Sequence, residues 1–293
     1  MGKNNKTISL NSGNCKSSAH LCEQVNDLMD LGMQIKDYDF ALKFLFENEY
    51  YRFRGYCYQF IQGNKLTGSI SFDDILDIYY FDDELRQLLL KYLRYVELSI
   101  KSIVSYYHTI KYGSLCYLDD KLFIDKANHM DFISKAKKEI GRSDELFIRH
   151  HIYNKNSIFP FWVVCEVLTF GTISKYYNNM LNVDKTAISK KFYGVDRKYI
   201  ENWLLVCSYI RNLCAHNARL FNRKFIQATV NLPKKIQPSN SNLFDRLIPI
   251  CKVLEKEKKD RFIKELEELI SKHSFANKNI DFPICWNQVL LNV

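Results

Sequence analysis

The stretch SYIRNLCAHNARLFNRKF, residues 208–225, holds the densest group of chemically useful side chains in the chain. Arg211, Asn212 and His216 come first, followed by Arg219, Asn222, Arg223 and Lys224. Together these residue types suit phosphodiester cleavage in RNA. A histidine, with an ordinary pKa of about 6.5, takes or gives a proton at neutral pH. An arginine holds a phosphate bidentately and stabilises the extra negative charge of a pentacoordinate transition state. An asparagine orients the histidine or donates to a phosphate oxygen. No carboxylate cluster suited to a divalent metal accompanies them, so a metal-independent route without a cofactor is expected. The same residues would also furnish the solvated side of an amphipathic helix, and spacing alone leaves that alternative open.

On a helix, Asn212 and His216 are neighbours at i and i+4, and Arg219 and Arg223 would extend their stripe. Arg211 projects about 140° away from His216. Three arrangements reconcile them: a kink at this point, a site using a wide face, or a second copy of the helix from a symmetric partner.

The elements that must position these residues are legible from composition and periodicity. The chain has 293 residues, 47% of them hydrophobic and 26% charged, the balance of a globular protein able to bury a large core. Phe (20) and Tyr (19) are plentiful while Gly (10) and Pro (5) are scarce, which favours long packed helices and an all-α class. The net charge of +9 suits a polyanionic partner such as RNA, or simply a lysine-rich solvated surface. Nine cysteines form no C-x-x-C pair, so neither a zinc knuckle nor a disulfide framework is expected. Cys165 and Cys207, in apolar surroundings, are expected as core residues in a reducing cytosol. MGKNNKTISLNSGNCKSSAH has no apolar signal core and lacks the sixth-position Ser or Thr of a myristoylation motif; no apolar run reaches membrane-spanning length. The expected location is cytoplasmic, with no membrane association.

Residues 1–20 are expected as a polar tail, 21–231 as the main helical domain, 232–242 as a linker, and 243–293 as a C-terminal helical extension packed on the body. Phe40, Phe44 and Leu45 follow helical spacing, and an aromatic stretch continues through Tyr50, Tyr51, Phe53 and Tyr56. Ser71 is the expected N-cap of the strongest helix, with Asp73 and Asp74 in its first turn. Leu85, Leu88, Leu89, Tyr92, Val96, Ile100 and Val104 form that helix's apolar stripe. Glu97 beside it is expected at the stripe's boundary or paired with a buried arginine. A helix is expected over 128–152, closed by His150 and His151. Another starts at Pro160, with Trp162, Val163, Val167 and Leu168 apolar, Glu166 inside that face, and Gly171 allowing a kink or close helix approach. Ile200, Trp203, Cys207, Ile210 and Cys214 mark the buried side of the helix bearing Arg211. A helical pair follows the linker, and Trp286 is expected to fold back onto the body. Arg52 and Arg54, set among aromatics, could stack on bases or within the core.

YIRNLCAHNARLFNRKF resembles the signature of Abi-type bacterial phage-resistance proteins, the abortive-infection family that includes AbiD and AbiF proteins. EYYRFRGYCYQF (49–60), FDDILDIYYFDDELRQLLLKYLRYVELSIKS (72–102) and FPFWVVCEVLTFGTISKYY (159–177) resemble its other characteristic stretches in the right order, and FPICWN (282–287) resembles its C-terminal end. The resemblance implies a HEPN-like helical bundle with additional N- and C-terminal helices. It also implies a metal-independent ribonuclease motif on Arg211 and His216, with Asn212 between them. A composite site formed by two motifs, commonly in a homodimer, follows from the same resemblance, as does attack of a ribose 2′-OH on the adjacent phosphate. Asn217 stands where a second histidine is frequent in that family; if that histidine assists catalysis, activity here is weaker. The competing expectation is a non-catalytic protein that holds a structured non-coding RNA through Arg219, Arg223 and Lys224. A third is a helical dimerisation module with no RNA role.

Overall fold

The computed structural model describes residues 19–225, 229–233 and 243–293, so residues 1–18 of the expected tail and 234–242 of the expected linker lie outside them. The described chain is all-α apart from one two-residue hairpin. It divides into two compact units, the first ending at Tyr79 and the second running from Tyr80 to Val293.

In the first unit, α1 (Leu21–Asp30), α2 (Tyr38–Glu47) and α3 (Tyr50–Cys57) precede β1 (Ile61–Gln62) and β2 (Lys65–Leu66). Asp37 starts α2 by accepting the main-chain N–H of Phe40 at 2.9 Å. Phe44, Phe53 and Phe72 close on one another, with Phe53 and Phe72 ring centroids 4.6 Å apart. That cluster accounts for part of the aromatic density read in this stretch, while Phe40 and Tyr51 stay exposed. The hairpin was not expected. It turns at Gly63, whose φ of +62° suits a residue without a side chain.

The long helix α4 (Phe72–Tyr112) begins at Ser71 as expected. Ser71 Oγ accepts Asp74 N–H at 3.1 Å, and Asp74 Oδ2 accepts Ser71 N–H at 2.8 Å, a reciprocal capping box. Gly113, at φ +90°, ends the run. Leu85, Leu89, Tyr92, Val96, Ile100 and Val104 are buried, each contributing roughly 1.5–3 kcal/mol of transfer free energy, while Leu88 of the expected stripe is only partly buried.

The second unit continues with α5 (Lys126–Arg142), α6 (Leu146–Asn154), α7 (Phe161–Val167), α8 (Phe170–Asn179) and α9 (Asn182–Ile188). Then come α10 (Arg197–Ala215), α11 (Phe244–Val253), α12 (Lys256–Lys272), α13 (Ser274–Asn279) and α14 (Trp286–Asn292). The single helix expected over 128–152 is two, because Ser143 is extended between α5 and α6. His151 lies in the last turn of α6, where its Nδ1 meets the Ile158 carbonyl at 2.8 Å. The 159–179 stretch also breaks, at Leu168 and Thr169, where Thr169 caps α8 by accepting Thr172 N–H. Trp162 and Glu166 are exposed, so the apolar face of α7 is narrower than periodicity implied.

α10 is the central helix of this unit, packed by α8 and α11. α8 passes α10 at Gly171, where an added Cβ would lie 3.4 Å from Ser208 Oγ, the distance of an ordinary contact. Trp286 is half-buried against Phe282, with ring centroids 5.8 Å apart. Among the described residues no helix is long and apolar enough to cross a membrane. The eight described cysteines are unpaired, Cys165 and Cys207 being buried as expected.

Candidate functional site

α10 begins at Asp196, whose carboxylate accepts Lys198 N–H at 3.0 Å. Ile200, Trp203, Cys207, Ile210 and Cys214 are its buried side, as the spacing implied. Burial pushes the Cys214 thiol up to about 12, so it fills core space beside the site and is no nucleophile.

The helix stops sooner than the expected polar stripe requires. Ala215 is its last residue, and His216 closes it with φ −95° and ψ 16°. Asn217 then takes a left-handed φ of +52°. Ala218 N–H donates to Leu213 O at 2.9 Å and Asn217 N–H to Cys214 O at 3.0 Å, the paired bonds of a Schellman ending. Arg219 and Arg223 therefore do not continue an α10 stripe; they lie on the segment that leaves the helix. Asn217 also acquires a local role, since asparagine tolerates the left-handed region better than most residues.

A buried carboxylate on α4 holds that departing segment. Asp82 Oδ1 accepts Phe221 N–H at 2.8 Å, and Asp82 Oδ2 accepts Leu220 N–H at 3.1 Å. Arg86 Nη1 donates to Asp82 Oδ2 at 2.7 Å, and both side chains are buried. Leu220 and Phe221 fill the space beneath, with Phe221 edge-on to Phe81 at 5.9 Å. A buried charge held by an arginine and two main-chain donors is fully used in place, which fixes the direction in which the chain leaves His216.

A second carboxylate of α4 reaches the site itself. Glu97 Oε2 lies 3.6 Å from Arg211 Nε, and Glu97 Oε1 lies 3.4 Å from Lys101 Nζ. Arg211 Nη1 also donates to Asn212 Oδ1 at 3.3 Å. Glu97 is thus the boundary carboxylate anticipated beside the apolar stripe, although its arginine is half-exposed. Asn212 and His216 are exposed, and Arg211 presents part of its guanidinium to solvent. Two cations around one carboxylate leave a net positive charge where a phosphate could approach.

The remaining candidates separate by environment. Asn222 uses both ends of its amide on the chain: Nδ2 donates to Asn279 O at 2.7 Å, and Oδ1 accepts Asp281 N–H at 3.0 Å. Its placement is that of a tie between the loop and the segment after α13. Arg223 donates to Arg219 O at 3.3 Å and lies over the Phe225 ring, while Lys224 is exposed. Arg246 of α11, buried, donates to Phe225 O at 3.2 Å from the other side. Asp82, Arg86 and Arg246 are the residues that pattern reading missed. Asp82 carried a usable signal: it occupies a buried position on the same side as Leu85 and Leu89, where a carboxylate needs a partner.

Glu166, expected within an apolar face, contributes no side chain here; only its main-chain carbonyl accepts Lys101 Nζ, at 3.4 Å. The basic excess of the chain falls in the unit that contains α10, since residues 19–79 hold more Asp and Glu than Lys and Arg.

A family model described as Abi-like protein matches residues 43–222. No curated protein and no solved structure matches the chain. The matched region covers more than half of the chain and takes in Asp82, Glu97, the whole of α10 and the loop to Asn222. The chain belongs to the Abi-like protein family, a membership that supports a role in abortive infection, the defence against phage.

Proposed function

We propose that this protein is a metal-independent endoribonuclease of the HEPN type, acting in abortive infection, with Arg211, Asn212 and His216 as its catalytic residues. The observation that carries the proposal is the exposed end of α10. It offers His216 and Asn212 to solvent, with Arg211 steadied by Glu97 in a locally basic setting. His216 accepts the proton of a ribose 2′-OH as that oxygen attacks the adjacent phosphorus. Arg211 neutralises the charge that gathers on the non-bridging oxygens, and Asn212 donates to one of them or orients the imidazole. The 5′-oxygen leaves with a proton drawn from water, and the His216 imidazolium returns its proton to solvent, giving a 2′,3′-cyclic phosphate and a free 5′-OH. Arg219, Arg223 and Lys224 supply cationic contacts along the RNA backbone.

A homodimer completes the site in this account, with the α10 ends of two copies facing one RNA strand. Mixing inactive Arg211→Ala and His216→Ala chains tests this. Mixed dimers regain cleavage if the Arg and His of one site come from different chains. Failure to regain any activity, with mixed dimers shown to form, removes the shared site. The alternative is a non-catalytic protein that holds a structured RNA. It is favoured by the cations of 219–224 standing on a loop beyond the helix, where they could bind a backbone independently of His216. Undiminished RNA binding by His216→Ala, with no cleavage by either protein, would select it.

A further inference from the structure

Five lysines and arginines stand on α4, and four of them have a carboxylate partner. Arg86 pairs with Asp82, Lys91 with Glu265, Lys101 with Glu97 and Lys111 with Asp184. The fifth, Arg94, is exposed and has no ion pair or hydrogen bond among the described residues. Exposed arginines are common, so its position decides whether it has a use.

Two contacts fix that position. Glu97 of α4 reaches Arg211 of α10 at 3.6 Å, and Asp82, about four turns earlier on α4, accepts Phe221 N–H at 2.8 Å. The chain that runs forward from Arg211 through His216 to Phe221 therefore runs backward along α4, from Glu97 to Asp82. Arg94 lies about 4.5 Å from Glu97 in that direction, and His216 about 7.5 Å from Arg211. The two residues stand at nearly one level on neighbouring helices. Arg94, Glu97 and Lys101 also share one side of α4, within about 60° of arc. Side chains three residues apart on a helix have Cβ atoms about 5–6 Å from each other, which puts Arg94 beside the Glu97–Arg211 pair.

Charge gives this neighbour a role. Lys101 and Arg211 both lean on Glu97, so Arg94, Lys101 and Arg211 are three cations around one carboxylate. Glu97 is engaged by two of them, and the Arg94 fork stays open to an anion from solvent.

We propose that Arg94 is a substrate-binding residue that holds the phosphate next to the scissile one on a single-stranded RNA. The proposal rests on the reading of the α10 end as an RNA site, but not on cleavage there. Arg211 takes the reacting phosphate and Arg94 its neighbour, so the strand lies across α4 and the end of α10. The neighbouring phosphate keeps its charge and place while the scissile bond breaks. Arg94 therefore contributes equally to the ground and transition states.

The test has two arms, both on full-length protein. In the first, a single-stranded RNA is titrated onto His216→Ala protein at several salt concentrations, with and without Arg94→Gln. Losing Arg94 should weaken binding about tenfold at low salt. It should also lower the slope of log K against log salt by about 0.7, the value for one phosphate on a single strand. Arg94→Lys should restore the slope, and Lys137→Gln, which removes an exposed charge of α5, should leave it unchanged. The unfolding midpoint should not move, since Arg94 takes part in no ion pair. In the second arm, steady-state cleavage by Arg94→Gln should show a KM raised about tenfold and an unchanged kcat. A slope unaffected by Arg94→Gln, an equal fall in Lys137→Gln, or a lower kcat at unchanged KM overturns the proposal. If the native protein cuts no RNA, a slope lowered by Arg94→Gln alone still upholds the contact and removes only the catalytic reading. Absence of RNA binding by the His216→Ala protein overturns the proposal together with the RNA reading beneath it.

Discussion

Glu97 on α4 holds Arg211 on α10 through a carboxylate oxygen 3.6 Å from Nε, while its other oxygen faces Lys101. A half-exposed pair of this kind adds about 0–1 kcal/mol to stability, so its main effect is on the direction and charge of the guanidinium. Glu97→Gln should leave the unfolding midpoint nearly unchanged. It removes a negative charge that competes with phosphate, and it also removes the stop that steadies Arg211. Steady-state cleavage of a single-stranded RNA should therefore show a lower KM together with a kcat reduced about tenfold, equivalent to about 1.4 kcal/mol. A kcat and KM both unchanged would remove Glu97 from the site.

Asp82 is a structural counterpart on the same helix. Asp82→Ala leaves Arg86 buried without this partner and two main-chain N–H groups without their acceptor. The expected cost is about 3–5 kcal/mol, read from a lower urea midpoint at constant m. Proteolysis near 217–225 should rise with it, because the same carboxylate holds that segment in place.

His108 gives the fold a pH dependence. It is buried, its Nδ1 lies 2.5 Å from Tyr176 Oη, and burial pushes its pKa down to about 4. The unfolded chain, with a histidine pKa of about 6.5, binds this proton more readily than the folded one. The neutral form's advantage is complete above that value and is lost as pH falls towards 4. His108 alone should cost the protein about 2 kcal/mol between pH 7 and pH 5. Chemical unfolding across that range should show the loss in the native protein and a correspondingly flatter profile in His108→Phe.

Asn217 should behave as a helix terminator. Asn217→Gly should change stability by no more than a few tenths of a kcal/mol, because glycine adopts φ +52° without strain. Asn217→Val should cost about 1–2 kcal/mol, and thermal unfolding of the pair would show the difference.

The long-range architecture around the site was legible where one physical signal dominated. The stripe from Leu85 to Val104 and the buried side of α10 follow from apolar periodicity, and the Ser71 cap follows from the order of Ser71 and Asp74. The breaks at Ser143 and at Leu168–Thr169 were only faintly legible: Gly141 and Gly171 each lie two residues away, but no glycine or proline stands at the break itself, and tertiary contacts decide where the chain turns. Within the candidate site, residue types singled out Arg211, Asn212 and His216 as candidates, but local spacing extended α10 too far. The left-handed turn at Asn217 depends on an asparagine tolerated in that conformation, a weaker signal than glycine. Asn222 illustrates the other difficulty. A polar loop residue looks available to a ligand until the structure shows both ends of its amide in use by Asn279 and Asp281.

The central claim concerns the chemistry of His216, and one measurement addresses it most directly. Purified full-length protein and its His216→Ala variant, matched for helical content by circular dichroism, are incubated with single-stranded RNA in excess EDTA. The account predicts cleavage by the native protein, with 2′,3′-cyclic phosphate and 5′-OH ends. It predicts at least a hundredfold loss in the variant, within the range for removing a general acid–base, with RNA binding retained. Undiminished cleavage by His216→Ala, or cleavage by the native protein only when a divalent metal is supplied, would contradict it.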